Sequence, residues 1–150
     1  MLPDLRIQVA RVGLIVVPLP RYQTEGSAGM DLHAALSGPL EVAPLARVSV
    51  PTGLALSIPR SFEGQVRPRS GLAARTGLTI LNAPGTIDSD FRGEVRVLLV
   101  NLSDAPVTIA PLERIAQLVI APVARAELVL AVGLDATVRG AGGLGSTGST

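Results

Sequence analysis

Sixteen glycines and twelve prolines punctuate the whole length of this 150-residue chain. Between them the apolar residues, 47% of the sequence, are nearly all Val, Ile, Leu and Ala. Backbone breakers at this density, alternating with aliphatic side chains, favour many short strands joined by turns over long helices. Strand-like segments follow: RIQV (6–9), GLIVV (13–17), ARVSV (46–50), GLALSI (53–58), GQVR (64–67), GLTIL (77–81), EVRVLLV (94–100), PVTI (106–109) and RIAQLVI (114–120). Their spacing of about ten residues predicts a β-sandwich or barrel. In Glu94-Val95-Arg96-Val97 a charged face alternates with an apolar one before Leu98-Leu99-Val100, so this strand is expected to run from a wet site into a dry interior. One short helix is expected at Ser70-Gly71-Leu72-Ala73-Ala74-Arg75, with Ser70 as N-cap and Gly77 as the stop.

The chain is long enough for one domain that hides roughly 70% of its unfolded surface. It has no cysteine, which excludes disulfides and thiolate-bound zinc, and its single histidine, His33, excludes a multi-histidine metal site. All thirteen basic residues are arginine, so Schiff-base chemistry and a Walker A lysine are absent. A net charge of +1 argues against a nucleic-acid-binding domain, and the only aromatic residues, Tyr22, Phe62 and Phe91, are too few for rows of stacked bases. No apolar run approaches the roughly 18 residues of a membrane helix. The N-terminus MLPDLRIQVAR does not read as a secretory signal, so a cytoplasmic, membrane-free protein is expected.

Three constellations could carry chemistry. Arg60, Arg67, Arg69 and Arg75 face one acid, Glu63, across sixteen residues, and Arg69-Ser70 at a helix entrance would cradle a phosphate; a solvated, ion-paired edge is the competing reading. In Gly85-Thr86-Ile87-Asp88-Ser89-Asp90-Phe91-Arg92-Gly93, an aspartate could present its carboxylate to a water, or simply occupy a hairpin turn. In RGAGGLGSTGST (139–150), five glycines, Arg139 and Ser146-Thr147 could close on an anion, or the tail could stay disordered. The body is expected over residues 1–138 and the tail, mobile until something holds it, over 139–150. His33 fits a surface or packing role better than catalysis.

In order, AGMDLHA (28–34), PRSGLAARTGL (68–78), GTIDSDFRGEVRVLLVN (85–101), RIAQLVIAPV (114–123) and RGAGGLGSTG (139–148) closely resemble the five motifs of the homotrimeric dUTPase family. The resemblance spans nearly the whole chain, and five motifs in register are far more specific than one glycine-rich loop. It implies an all-β jelly roll of the dUTPase-like β-clip type with one short helix, assembled as a homotrimer whose three active sites are shared between subunits. The implied reaction is hydrolysis of dUTP to dUMP and pyrophosphate, which lowers dUTP and supplies dUMP for thymidylate synthesis.

Carried over residue by residue, Asp88 is implied to orient and deprotonate the water that attacks the α-phosphorus. Asp31 is implied to support the metal-water and phosphate environment. Arg69, Ser70, Gly71 and Gln117 match phosphate-contacting positions, and Asn82 matches the uracil-reading asparagine in a hairpin that includes Thr86. Arg139, Leu144, Gly145, Ser146 and Thr147 match the tail that closes over the nucleotide. Magnesium is the implied cofactor, held by the phosphates and water with no direct protein ligand. Two residues depart from the family pattern: Phe91 stands where a tyrosine usually lies against the deoxyribose, and Leu144 where an aromatic ring usually covers the uracil. The alternatives are a dCTP deaminase-like enzyme of the same fold and a catalytically silent nucleotide-binding trimer.

Overall fold

A computed structural model describes residues 5–143. The elements in chain order are β1 (Gln8–Arg11), β2 (Met30–His33), β3 (Leu40–Val42), β4 (Arg47–Ser57), β5 (Phe62–Arg67), α1 (Ser70–Thr76), β6 (Leu78–Ile80), β7 (Gly85–Ile87), β8 (Glu94–Asn101), β9 (Val107–Ile109) and β10 (Arg114–Pro122). They form two four-stranded sheets, ordered β1-β4-β8-β6 and β2-β10-β5-β7, and a β3-β9 ribbon. Every pairing is antiparallel. Inward-facing aliphatic residues from both sheets, among them Leu32, Val50, Leu56, Ile58, Val66, Leu99, Ile115 and Leu118, make one continuous core, closed at one end by Leu72 of α1. This is the expected all-β class, built by period-two alternation: β8 buries Val95, Val97 and Leu99 and exposes Arg96.

The structure departs from the sequence reading in four places. Segments 46–50 and 53–58 are one strand, β4, because Pro51 sits where the pairing with β8 shifts register and its missing N–H costs nothing. Gly53 turns through that irregularity at φ 66°, its N–H donating to the Glu94 carboxylate at 2.9 Å, while the Thr52 hydroxyl donates to the Val95 carbonyl at 2.6 Å. Segment 13–17 has no sheet partner: Gly13, at φ 76°, carries the chain off the sheet after β1 and leaves Leu14 97% exposed. Ser70 is the first helical residue and not the N-cap; Arg69 takes the cap position in an extended conformation with no side-chain cap bond. The C-terminal stop is as expected, with Gly77 left-handed at φ 72° and its N–H bonded to the Ala73 carbonyl. Finally, the strands β3 and β7 were not among the predicted segments, whereas β2 falls in AGMDLHA, which reads as strand-like.

After β10 the chain from Val123 onward has no helix or strand among the described residues and lies exposed. Leu128, Leu130, Val132, Leu134 and Val138 there are each more than nine-tenths exposed.

Candidate active site

Asp31 is the hub of the first cluster. Alternation along β2 sends Leu32 into the core and leaves Asp31 and His33 on the opposite face. The Asp31 carboxylate accepts from Arg69 Nε at 2.9 Å and from Arg114 Nη1 at 3.0 Å, with only 13% of its side chain exposed. Arg69 is bound a second time, its Nη1 donating to the Arg114 carbonyl at 3.2 Å. That carbonyl comes within reach because the β2-β10 pairing is irregular between Arg114 and Ala116. Gln117 stands opposite Asp31 on one side and Arg67 on the other, and its Nε2 donates to the Pro68 carbonyl at 2.9 Å. The amide thereby fixes the turn that delivers Arg69, Ser70 and Gly71.

A hollow of about 460 Å³ beside this clamp is lined by Arg21, Gln23, Asp31, His33 and Arg114, among others. His33 Nδ1 is buried there without a hydrogen-bond partner. Burial lowers the imidazole pKa below 6.5; Asp31 pulls it upward, and Arg114 and Arg69 oppose a further positive charge. Near neutral pH the ring is therefore uncharged.

The second cluster lies on the hairpin that begins at β7. β7 pairs with β5, and around it Asn82, Thr86, Asp88 and Phe91 line one cleft of about 320 Å³, together with Val66, Ile87, Val95, Glu94 and Arg96. Residues 88–93 are stapled: the Phe91 N–H donates to the Asp88 carbonyl at 3.2 Å, and Arg92 Nη1 donates to the carbonyls of Ser89 at 2.7 Å and Phe91 at 2.8 Å. Asp88 itself is exposed.

Within one chain Gln117 and Pro68 border the same hollow as Ala83 and Pro84, but Asp88 lies farther along the sheet. Asp88 follows Ile87, which faces Gly64, whereas Gln117 faces Arg67. At about 3.3 Å per residue and 4.8 Å per strand, that register puts the Asp88 and Gln117 backbones roughly 16 Å apart, and Asp31 farther still. Arg139 is exposed, its Nε donating to the Gly142 carbonyl at 2.9 Å. Leu144, Gly145, Ser146 and Thr147 lie outside the described residues. Two residues not named as site candidates belong to these clusters, Arg114 and Glu94, the latter read only as part of a charged strand face. A charge heading an otherwise apolar strand is a readable signal for each, but the partners, 83 and 41 residues away, are not.

Chemically, the first cluster is an arginine pair held rigid by one carboxylate, suited to several phosphate charges at once. The second is a small, partly apolar slot with an amide, a hydroxyl, a ring and a free carboxylate, suited to a nucleoside and a water. An all-β chain with these two halves belongs to a class of nucleotide-processing β-clip proteins, and the dUTPase family model matches residues 16–148. The chain is a member of the dUTPase family. It is 62% identical over 89% of its length, and 84% of the relative's, to the deoxyuridine 5'-triphosphate nucleotidohydrolase of Methylocella silvestris. It is 60% identical to that of an Anaeromyxobacter species, covering 95% of this chain and 97% of the other. Among solved structures, the dUTPase of Staphylococcus bacteriophage 80alpha with dUPNHPP superposes with a TM-score of 0.87 at 26% identity, covering 95% of this chain and 98% of that one.

Proposed function

We propose that this chain hydrolyses dUTP to dUMP and pyrophosphate by attack of water on the α-phosphorus. The observation that carries the reading is the meeting of Asn82, Thr86, Asp88 and Phe91 around a single cleft. Asn82 reads the uracil edge through its amide, and the Phe91 ring covers the sugar. Asp88 takes the proton of the attacking water. Arg69, Ser70, Gly71 and Gln117 hold the triphosphate, with Asp31 keeping Arg69 aimed. Arg139 and the residues Leu144, Gly145, Ser146 and Thr147 close over the bound nucleotide and exclude other water.

The working unit is a homotrimer. With the Asp88 and Gln117 backbones about 16 Å apart on one chain, a compact site is completed most directly when different copies supply the clamp and the carboxylate. Two further features favour assembly. β1 is an edge strand whose four residues are all exposed, and the exposed aliphatic segment after β10 is unpaired apolar surface. The Asp31 carboxylate is committed to two arginines, and a clamp of that charge fits a triphosphate that brings its magnesium ion with it. When bound, that ion would supply charge neutralisation on the phosphate oxygens. A cytoplasmic setting suits this substrate, and no described helix is long and apolar enough to cross a membrane.

The test is pyrophosphate release from dUTP, dTTP, dCTP and UTP, with and without magnesium. Selective release from dUTP supports the reading. Conversion of dCTP to a uracil nucleotide would identify a deaminase instead, and dUTP binding without pyrophosphate a silent trimer.

A further inference from the structure

We propose that Gly93 is a positioning residue for sugar selection, its missing side chain leaving the space in which the Phe91 ring rests against the hairpin and faces the cleft. The inference rests on the reading of Phe91 as the sugar-facing ring. A Cβ built on Gly93 would stand 2.7 Å from Phe91 Cζ and 2.9 Å from Cε2, well inside carbon–carbon contact distance. Backbone conformation does not demand glycine here: the positive-φ glycines among the described residues are Gly13, Gly53, Gly77 and Gly140. The close contacts are with the ring alone.

The backbone on either side has little room to yield. Upstream, Arg92 Nη1 grips the carbonyls of Ser89 and Phe91, and the Phe91 N–H holds the Asp88 carbonyl. Downstream, Glu94 opens β8, and its carboxylate takes the Gly53 N–H at 2.9 Å. The ring, by contrast, is 43% exposed and can swing into solvent. A methyl at position 93 is therefore accommodated by moving the ring about 1 Å or more, to reach ordinary contact distance. That displacement shifts one wall of the cleft that Asn82, Thr86 and Asp88 share. The wall in question is the one that would meet a ribose 2′-hydroxyl.

The experiment compares kcat and KM for dUTP and UTP in the wild type, Gly93→Ala, Phe91→Ala and the double variant, with thermal midpoints measured alongside. Gly93→Ala is expected to lower the dUTP-to-UTP ratio of kcat/KM by about tenfold, the scale of a small misplacement at a reacting centre, with the midpoint unchanged. In the Phe91→Ala background the same substitution should do nothing more, because the atom it strikes is gone. A wild-type ratio in Gly93→Ala overturns the inference, as does a double variant clearly less selective than Phe91→Ala. An inert wild type overturns the proposed activity together with this inference, whereas an active wild type with an unaltered Gly93→Ala overturns the inference alone.

Discussion

Replacing Asp31 by Asn keeps the size of the side chain and removes the charge that two guanidiniums share. The Arg69 pair is the better shielded, with 26% of the arginine side chain exposed, and the Arg114 pair the more open, at 49%. A charge-assisted bond of the first kind contributes about 1.5–3 kcal/mol, and an exposed pair of the second kind about 0.2–1 kcal/mol. Asn retains one neutral acceptor, so the net loss is about 2 kcal/mol. For a chain of this length that lowers the unfolding midpoint by about 4–8 °C, read at fixed protein concentration because assembly contributes to apparent stability. Half-molar salt should narrow the gap by screening the Arg114 component. With its anchor weakened, Arg69 samples orientations that miss the phosphates, so KM for dUTP should rise by about tenfold for each 1.4 kcal/mol lost in binding, while kcat changes less. A variant with the wild-type midpoint and the wild-type KM would refute the argument that this carboxylate organises the clamp.

Three further outcomes are expected. Asp88→Asn should bind a non-hydrolysable dUTP analogue and lose about 10²–10⁴-fold in turnover, the usual contribution of a positioned base; near-native turnover in a quench assay removes Asp88 from the mechanism. Leu144→Phe should tighten binding of the same analogue by about 0.5–1.5 kcal/mol through ring stacking, and equal dissociation constants would speak against that role for position 144. His33 has a lowered pKa in the folded chain, so the unfolded chain binds its proton more readily; stability from this residue is full above pH 6.5 and declines as pH falls through that value towards the folded pKa. Chemical denaturation of His33→Gln between pH 7.5 and 5.5 should show a flatter decline than the wild type, and parallel curves would contradict the assignment.

What could be read in the sequence was whatever depends on near neighbours. The alternation of Glu94 to Val97 gave the buried and exposed faces of β8, and Gly77 gave the end of α1, because both are decided within a few residues. Pro51 reads locally as a break, yet β4 runs through it, since the register shift against β8 that tolerates it is a property of the pair. Segment 13–17 has the composition of a strand and no partner, for the same reason in reverse. In the site, Asp31, Arg69, Gln117, Asn82 and Asp88 were named by motif, whereas Arg114 and the stapling guanidinium of Arg92 came to light only through contacts. Gly93 sits inside a recognised motif, but its steric purpose depends on where a ring two residues earlier folds back.

The distance between the clamp and the hairpin cleft has a genetic consequence. If separate copies contribute the two halves of each reaction centre, as proposed, damage is not confined to the polypeptide that carries it. A chain weakened at Asp31 and another crippled at Asp88, each impaired alone, would complement one another when co-expressed, because a mixed assembly would bring one intact clamp to one intact hairpin. A single kind of defective chain mixed with healthy copies would remove only as many sites as there are defective chains, because each copy gives one clamp and one hairpin.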